Sequence, residues 1–225
     1  MQRKELGIAV IGAGRIGTLR ARLSAKHPAV KFLAIADLDP ARAAALAKTT
    51  GADFHTGNNN EAIERPEVNA VFVSTPEDLH AAPVKRALEL GNAVMVEKPI
   101  ALTLADADDI LETLRQTGGD LRIGYSRRFK ECFLRAKEQM VQGRLGRVLG
   151  GTARVYNSRA QAFSILKRSA HATPVVDVLT YYVDLMCWFL EGNPPVEVIA
   201  RGQHGIFKEA GYDAHDVTWG IITLA

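Results

Sequence analysis

Lys98 stands in Glu97-Lys98-Pro99, directly after the apolar run Ala93 to Val96. An ammonium at the carboxyl end of a strand in an open α/β sheet lies where such sheets bind ligands. Upstream, Gly12-Ala13-Gly14-Arg15-Ile16-Gly17 follows the apolar run Leu6 to Ile11 and opens a helical stretch. There the first glycine permits a tight turn and the second lets backbone approach a pyrophosphate. The third lets helix and strand pack closely, with helix N–H groups aimed at the phosphates. Gly12, Gly14, Arg15, Ile16 and Gly17 are therefore candidate cofactor contacts. Asp37 comes twenty residues after Gly17, at the end of the next apolar run. A carboxylate there can accept from both ribose hydroxyls and would repel a 2′-phosphate, which favours NAD; Arg42 nearby leaves room for NADP. Glycine turn and lysine together point to nicotinamide redox chemistry.

Ser74, Thr75, Pro76 and His80 follow the run Val68 to Ser74, and small polar groups at that point suit the nicotinamide half of a cofactor groove. His80 serves equally as a helix-start residue without a ligand. Glu97 is placed with the cofactor contacts and Lys98 with the substrate. Asp177, Tyr181 and Asp184 fall at i, i+4 and i+7 of a helical stretch and would share one face, aimed at the cleft opposite Lys98.

Strands are expected at Leu6 to Ile11, Val30 to Ala36, Val68 to Ser74, Ala93 to Val96 and Leu121 to Tyr125. Helices are expected at Ile16 to Ala25, Pro40 to Thr50, Ala81 to Leu90 and Leu104 to Thr117, the later ones stopped by Gly51, Gly91 and Gly118. This alternation predicts βαβ units in a doubly wound parallel sheet over residues 1–125. Beyond Tyr125 the expected order is a helix at Phe129 to Gln142, a long strand at Arg147 to Tyr156, and a polar, basic stretch at Asn157 to Thr173. A helix at Pro174 to Leu190 and antiparallel strands at Val196 to Gln203 and Val217 to Leu224 follow. Residues 126–225 thus read as an incomplete α/β domain with an open, largely antiparallel sheet, ending in mid-strand at Ala225. The chain reads as the N-terminal piece of a longer protein, prone to aggregate or oligomerise alone through an exposed last strand.

A hydrophobic fraction of 47% and a net charge of +3, with basic residues scattered among acidic ones, argue against disorder and against nucleic acid. Cys132 and Cys187 are far apart, which excludes a disulfide framework and a metal knuckle. The start Met1-Gln2-Arg3-Lys4-Glu5 has no signal-peptide core, and no apolar run is long enough for a bilayer. The expectation is a reduced, cytoplasmic protein with no membrane partner. Asp213, His215 and Asp216 hint at metal but read as an ordinary turn, so none is assigned.

With Gly12 to Gly17, Ser74-Thr75-Pro76, Glu97-Lys98-Pro99 and Gly124-Tyr125-Ser126-Arg127-Arg128-Phe129 in this order, the chain resembles the glucose–fructose oxidoreductase and inositol dehydrogenase family, also called Gfo/Idh/MocA. The resemblance covers essentially the whole chain and implies a Rossmann domain followed by a domain for substrate contacts and homo-oligomerisation. Val175 to Asp184, followed by Trp188, looks most like the inositol dehydrogenase branch, with Asp177 and Asp184 matching. That branch has a histidine where Tyr181 stands, a tyrosine resembling the sugar and dihydrodiol dehydrogenases; His171-Ala172-Thr173-Pro174 replaces a common Gly-Gly stretch. The resemblance implies hydride transfer between a nicotinamide and a secondary alcohol of a cyclitol, sugar or related polyol.

Tyr181 is the first choice for exchanging the proton. A phenol of pKa about 10 is a poor base at neutral pH, but a nearby ammonium and the positive nicotinamide favour the phenolate. Lys98 would then hydrogen-bond the substrate oxygen and Asp177 orient the polyol. Lys98 itself as the acid/base is the close second. Asn157 is a hydroxyl-binding candidate by its match to the inositol branch. Arg128 is another substrate contact, in a basic group with Arg127, Arg154, Arg159, Lys167 and Arg168 that suits either a solvated face or an anionic sugar acid. A cofactor-binding regulator without chemistry and an NAD-dependent glycosidase are the rival functions.

Overall fold

Apolar runs of four to seven residues, each followed by a helical stretch, can bury both faces only if crossover helices cover a parallel sheet. The computed structural model describes residues 5–168 and 172–225 and falls into two compact units, Met1–Gly124 and Tyr125–Ala225. His171 lies outside the described residues, as do Met1 to Lys4. The first unit runs β1 (Leu6–Ile11), α1 (Arg15–Lys26), β2 (Val30–Ala36), α2 (Pro40–Thr50), β3 (Phe54–Thr56), α3 (Asn59–Ile63), β4 (Ala70–Val73), α4 (Ala81–Glu89), β5 (Ala93–Val96), α5 (Leu104–Thr117) and β6 (Leu121–Ile123). The short β3 and α3 had no clear periodicity in sequence.

The six strands pair in parallel in the order β3-β2-β1-β4-β5-β6. The order reverses between β1 and β4, which opens a crevice at their carboxyl ends. Side chains alternate along β1, so Ala9 and Ile11 enter one core with Val71, Val73, Leu88, Val96 and Ile110. Ile8 and Val10 enter the other with Ile35 and Leu46.

Helix ends follow their local chemistry. Asp39 accepts the N–H groups of Ala41 and Arg42 at the start of α2, which closes on left-handed Gly51. Thr103 caps α5, which ends on left-handed Gly118. Helix α1 differs: its N-cap is Gly14, with no side-chain cap and no acid in the first turn.

The second unit runs α6 (Glu131–Val141), α7 (Arg159–Leu166), a π-helical turn (Val175–Leu179), α8 (Thr180–Phe189), β7 (Pro195–Gln203), α9 (Ile206–Glu209) and β8 (Val217–Leu224). Three expectations are corrected. Arg147 to Tyr156 is irregular, because β7 and β8 pair only with each other and leave it no ladder partner. The stretch 157–173, expected to be polar and basic, contains α7, which starts on a Ser158 cap and buries Ala162, Ile165 and Leu166. The single helix expected from Pro174 begins as the wider π turn. The antiparallel β7–β8 pair leaves Val196, Val198, Trp219 and Ile221 exposed.

A methyl group at Gly17 would stand 1.7 Å from the carbonyl oxygen of Gly12, so helix α1 packs on the turn with no room for a side chain. Gly17→Ala is expected to destabilise the protein by about 1–3 kcal/mol, the usual cost of overpacking, read as a lower urea midpoint; an unchanged midpoint would contradict this close approach.

Candidate active site

The glycine turn and the end of β4 meet at the crevice. Gly12 has φ +95°, and a Cβ there would lie 2.6 Å from the carbonyl oxygen of Ser74. Above Gly14 the protein is open: only the Arg42 guanidinium, at 3.7 Å, comes near an added Cβ. Asp37, 9% exposed, receives the Ala13 N–H on Oδ2 at 2.7 Å and the Asp39 N–H on Oδ1 at 2.9 Å. Each oxygen keeps a lone pair for a ligand hydroxyl. Arg42 Nη1 lies 4.0 Å from Oδ1 and is half exposed. At the end of β4, Ser74 Oγ and Thr75 Oγ1 are buried without a hydrogen-bond partner in the protein.

These features test whether a dinucleotide fits. An uncapped helix start offers N–H groups to a pyrophosphate. The empty space over Gly14 would be filled by a side chain, Asp37 is braced to accept ribose hydroxyls, and two buried hydroxyls await a polar group. The residues present fit NAD, with Gly12, Gly14, Arg15, Ile16, Gly17 and Asp37 at one end and Ser74, Thr75 and Pro76 at the other.

Lys98 follows β5, the neighbour of β4, on the same carboxyl edge of the sheet, and is half-buried. Glu97 is not an open ligand group. Arg20 of α1 donates to its Oε1 from Nε at 3.1 Å and from Nη2 at 2.7 Å, with both side chains largely buried. Sequence reasoning missed Arg20, since nothing about an arginine one turn past Gly17 announces a partner 77 residues away. His80 is 1% exposed, and its ring nitrogens face the carbonyls of Pro99 and Thr75. With 1% exposure and a carbonyl facing each ring nitrogen, the side chain fits the helix-start reading of His80.

In the second unit the charged groups expected near the substrate are mostly paired. Asp177 sits in the π turn and accepts from Arg168 Nη2 at 2.6 Å. That turn is wider than an α-helix, so the expected regular spacing to Tyr181 is not kept. Arg128 grips Asp184 with Nε at 2.8 Å and Nη2 at 2.5 Å, an ion pair that raises its pKa, and lies over Trp188. It braces Asp184 inside the unit while its own side chain stays partly exposed. Tyr181 meets Tyr125 edge-on and lies under the Arg127 guanidinium, which also covers Tyr182. Asn157 is half-buried in the irregular segment before the Ser158 cap. Tyr125 bonds the Thr180 hydroxyl at 2.9 Å, and burial pushes its phenol above the usual tyrosine value.

His215 stacks on His204, and Asp216 takes the Phe207 N–H, so the acidic and histidine group serves its own turn. Among the described residues no cluster of His, Cys, Asp or Glu could hold a metal, and no helix is long and apolar enough to cross a membrane.

Residues 6–125 match a family described as GFO/IDH/MocA oxidoreductase, NAD-binding Rossmann fold, and residues 133–225 match its C-terminal domain. The chain is 32% identical over 207 residues to inositol 2-dehydrogenase of Rhizobium meliloti (strain 1021), covering 92% of this chain and 61% of that enzyme. It is 29% identical over 219 residues to myo-inositol 2-dehydrogenase of Thermotoga maritima, covering 96% of this chain and 64% of that enzyme. The fold superposes on scyllo-inositol dehydrogenase of Lactobacillus casei, solved with NAD(H) and scyllo-inositol, with a TM-score of 0.82 and 23% identity over 98% of this chain and 66% of that one. The chain thus spans less than two thirds of the length of the curated relatives it matches.

Two outcomes follow from this geometry. Arg20→Met leaves a part-buried carboxylate without its donor and is expected to cost about 1.5–3 kcal/mol, the range for hydrogen bonds to charged groups. Glu97→Gln in the same chain should return part of it, read as coupling in a double-mutant cycle of urea midpoints; additive losses would show that the pair does not interact. Tyr125 should form its phenolate at higher pH than an ordinary tyrosine. The folded form prefers the neutral phenol, so this group's contribution to stability is intact below the unfolded value of about 10 and is lost as pH rises above it. Ultraviolet titration of the wild type against Tyr125→Phe reads it, and a late-titrating phenol that survives the substitution would contradict the assignment.

Proposed function

The chain belongs to the GFO/IDH/MocA oxidoreductase family, and from that premise we propose that it is an NAD-dependent dehydrogenase of a secondary alcohol on a cyclitol, sugar or related polyol. The observation that carries this reading is the shared carboxyl edge of β1, β4 and β5. That edge presents the open glycine turn, the two unpartnered hydroxyls and Lys98 from adjacent strands. Likeness to the two inositol dehydrogenases supports a cyclitol as the first substrate to try. Asp37 supports NAD over NADP, because a 2′-phosphate would meet a carboxylate already braced by two backbone N–H groups.

NAD bound at that turn supplies the acceptor for the hydride that leaves the alcohol carbon. The chain's residues handle the rest. As the C–H electron pair departs, the C–O bond becomes a carbonyl and the hydroxyl proton must leave. Lys98 donates to the substrate oxygen and holds it in line, and Tyr181 receives the proton. Asp177, braced by Arg168 through Oδ1, accepts from a neighbouring hydroxyl of the polyol and orients it. Asn157 offers a further amide to the ring hydroxyls. Glu97 holds Arg20 and serves the cofactor end only through α1. A homo-oligomer in the cytoplasm belongs to the same reading, with the exposed apolar side chains of β7 and β8 as its support.

A panel of inositols, sugars, sugar acids and glycosides, with NAD and read by NADH absorbance and product analysis, tests the proposal. NADH should appear with a polyol, and Lys98→Met should lower turnover by about 10²–10³-fold, the usual cost of removing one donor to the reacting oxygen, while NAD binding persists. Full activity in Lys98→Met would remove the catalytic assignment. Aglycone release without net NADH would move the chain to the glycosidases, and NAD binding without any turnover would make it a regulator.

A further inference from the structure

Both neighbours of Lys98 are anchored to other parts of the first unit. Glu97 is held by Arg20 of α1, and its N–H donates to the Val73 carbonyl at 2.9 Å. Pro99 is buried and has no N–H, so its carbonyl is the backbone group by which the turn can be held on that side. That carbonyl lies 3.0 Å from His80 Nδ1, and Nε2 of the same ring lies 3.2 Å from the Thr75 carbonyl. His80 therefore spans the turn after β4 and the turn after β5. A ring protonated on both nitrogens donates to both carbonyls at once, and a neutral ring satisfies one at a time. No aliphatic side chain can do either, and a buried carbonyl left without a donor draws the backbone toward another one. With 1% exposure, the ring has no surface to offer a ligand.

We propose that His80 is a positioning residue for Lys98, bridging the Thr75 and Pro99 carbonyls so that the lysine leaves β5 at a set height beside the buried Ser74 and Thr75 hydroxyls. It contacts neither cofactor nor polyol. The role given to Lys98 rests on the proposed function, and the consequence is a separation of effects. Displacing a reacting group by an ångström can cost about 100-fold in turnover while binding is little changed. Loss of a cofactor contact would instead weaken NAD, and loss of mere packing would lower stability without moving the lysine.

The test uses the full chain as wild type, His80→Ala, His80→Asn and His80→Gln. Asparagine keeps a donor near the place of Nδ1, toward Pro99, and glutamine keeps one near the place of Nε2, toward Thr75. His80→Ala should lose on the order of 100-fold in kcat, with KM for the polyol and the NAD dissociation constant moving by less than about 3-fold. Asparagine should restore more than glutamine, because Pro99 adjoins the lysine. A second readout needs no turnover: lysines are reductively methylated with isotopically labelled methyl groups, and the Lys98 resonance, identified by its loss in Lys98→Arg, is followed by NMR. Its shift on adding NAD should be present in the wild type and lost in His80→Ala. A loss of NAD affinity beyond about 10-fold in His80→Ala would make His80 a cofactor residue and overturn the proposal. So would a His80→Ala variant whose Lys98 resonance still shifts on adding NAD as the wild type's does, with kcat retained. If His80→Ala does not fold, equal behaviour of the asparagine and glutamine variants overturns it. If the wild type oxidises no polyol, the dehydrogenase reading fails by itself and the resonance still decides the role of His80.

Discussion

The approach of one backbone to another at the carboxyl ends of β1 and β4 governs the first unit. A Cβ on Gly12 would lie 2.6 Å from the Ser74 carbonyl oxygen, and one on Gly17 would lie 1.7 Å from the Gly12 carbonyl oxygen. These distances admit hydrogen and nothing larger, so the turn can close, α1 can pack directly on it, and its first N–H groups face the crevice. The remaining site features depend on that closure. Asp37 braces the turn through the Ala13 N–H, and Ser74 and Thr75 bring their hydroxyls to its far side. Helix α1, unlike α2 and α5, starts without a side-chain cap, and its bare N–H groups at the glycine turn are open to an anionic ligand.

Electrostatics in this protein is arranged by pairing more than by accumulation. Much of the positive charge around Arg127, Arg128 and Arg168 is absorbed locally, by Asp184, by Asp177 and by tyrosine faces. An arginine bound twice to a carboxylate that is itself almost wholly buried is a strut, because withdrawing the arginine strands the carboxylate's charge away from water. The same logic joins Arg20 to Glu97. The family motif around Lys98 is thereby tied to the nucleotide-binding helix by an ion pair and to the end of β4 by a histidine ring, and the lysine is held by its neighbours in the chain. The π turn at Asp177 belongs to the same economy of placement. An irregular helical turn directs one carboxylate differently from a regular one, and such turns often occur at functional positions.

Much of the first unit was legible because its signals are local. The boundaries of β2, α2, β5 and α5 follow from apolar runs and from punctuation by Asp39-Pro40, Gly51, Thr103 and Gly118. The dinucleotide turn was legible for the same reason, since three glycines and an aspartate act through spacing alone. The second unit was less so. Arg147 to Tyr156 carries enough apolar residues for a strand, but a strand exists only with a partner, and β7 and β8 pair with each other. Helix α7 is short, and its apolar residues are bracketed by Arg159, Lys167 and Arg168, so its buried face gives little signal in the sequence.

The sequence by itself determined most elements of the first unit, their alternation, the glycine turn, the acid that follows it and the position of Lys98, because each depends on residues close together in the chain. Tertiary structure decided which charges are spoken for. Arg20 on Glu97, Arg128 on Asp184 and the His80 ring between two carbonyls join residues from 19 to 77 positions apart, or span a turn that only the assembled sheet brings near. Spacing along the chain carries no record of such partners: a hydrogen bond depends on distance and direction in space, and these exist only once the strands have paired.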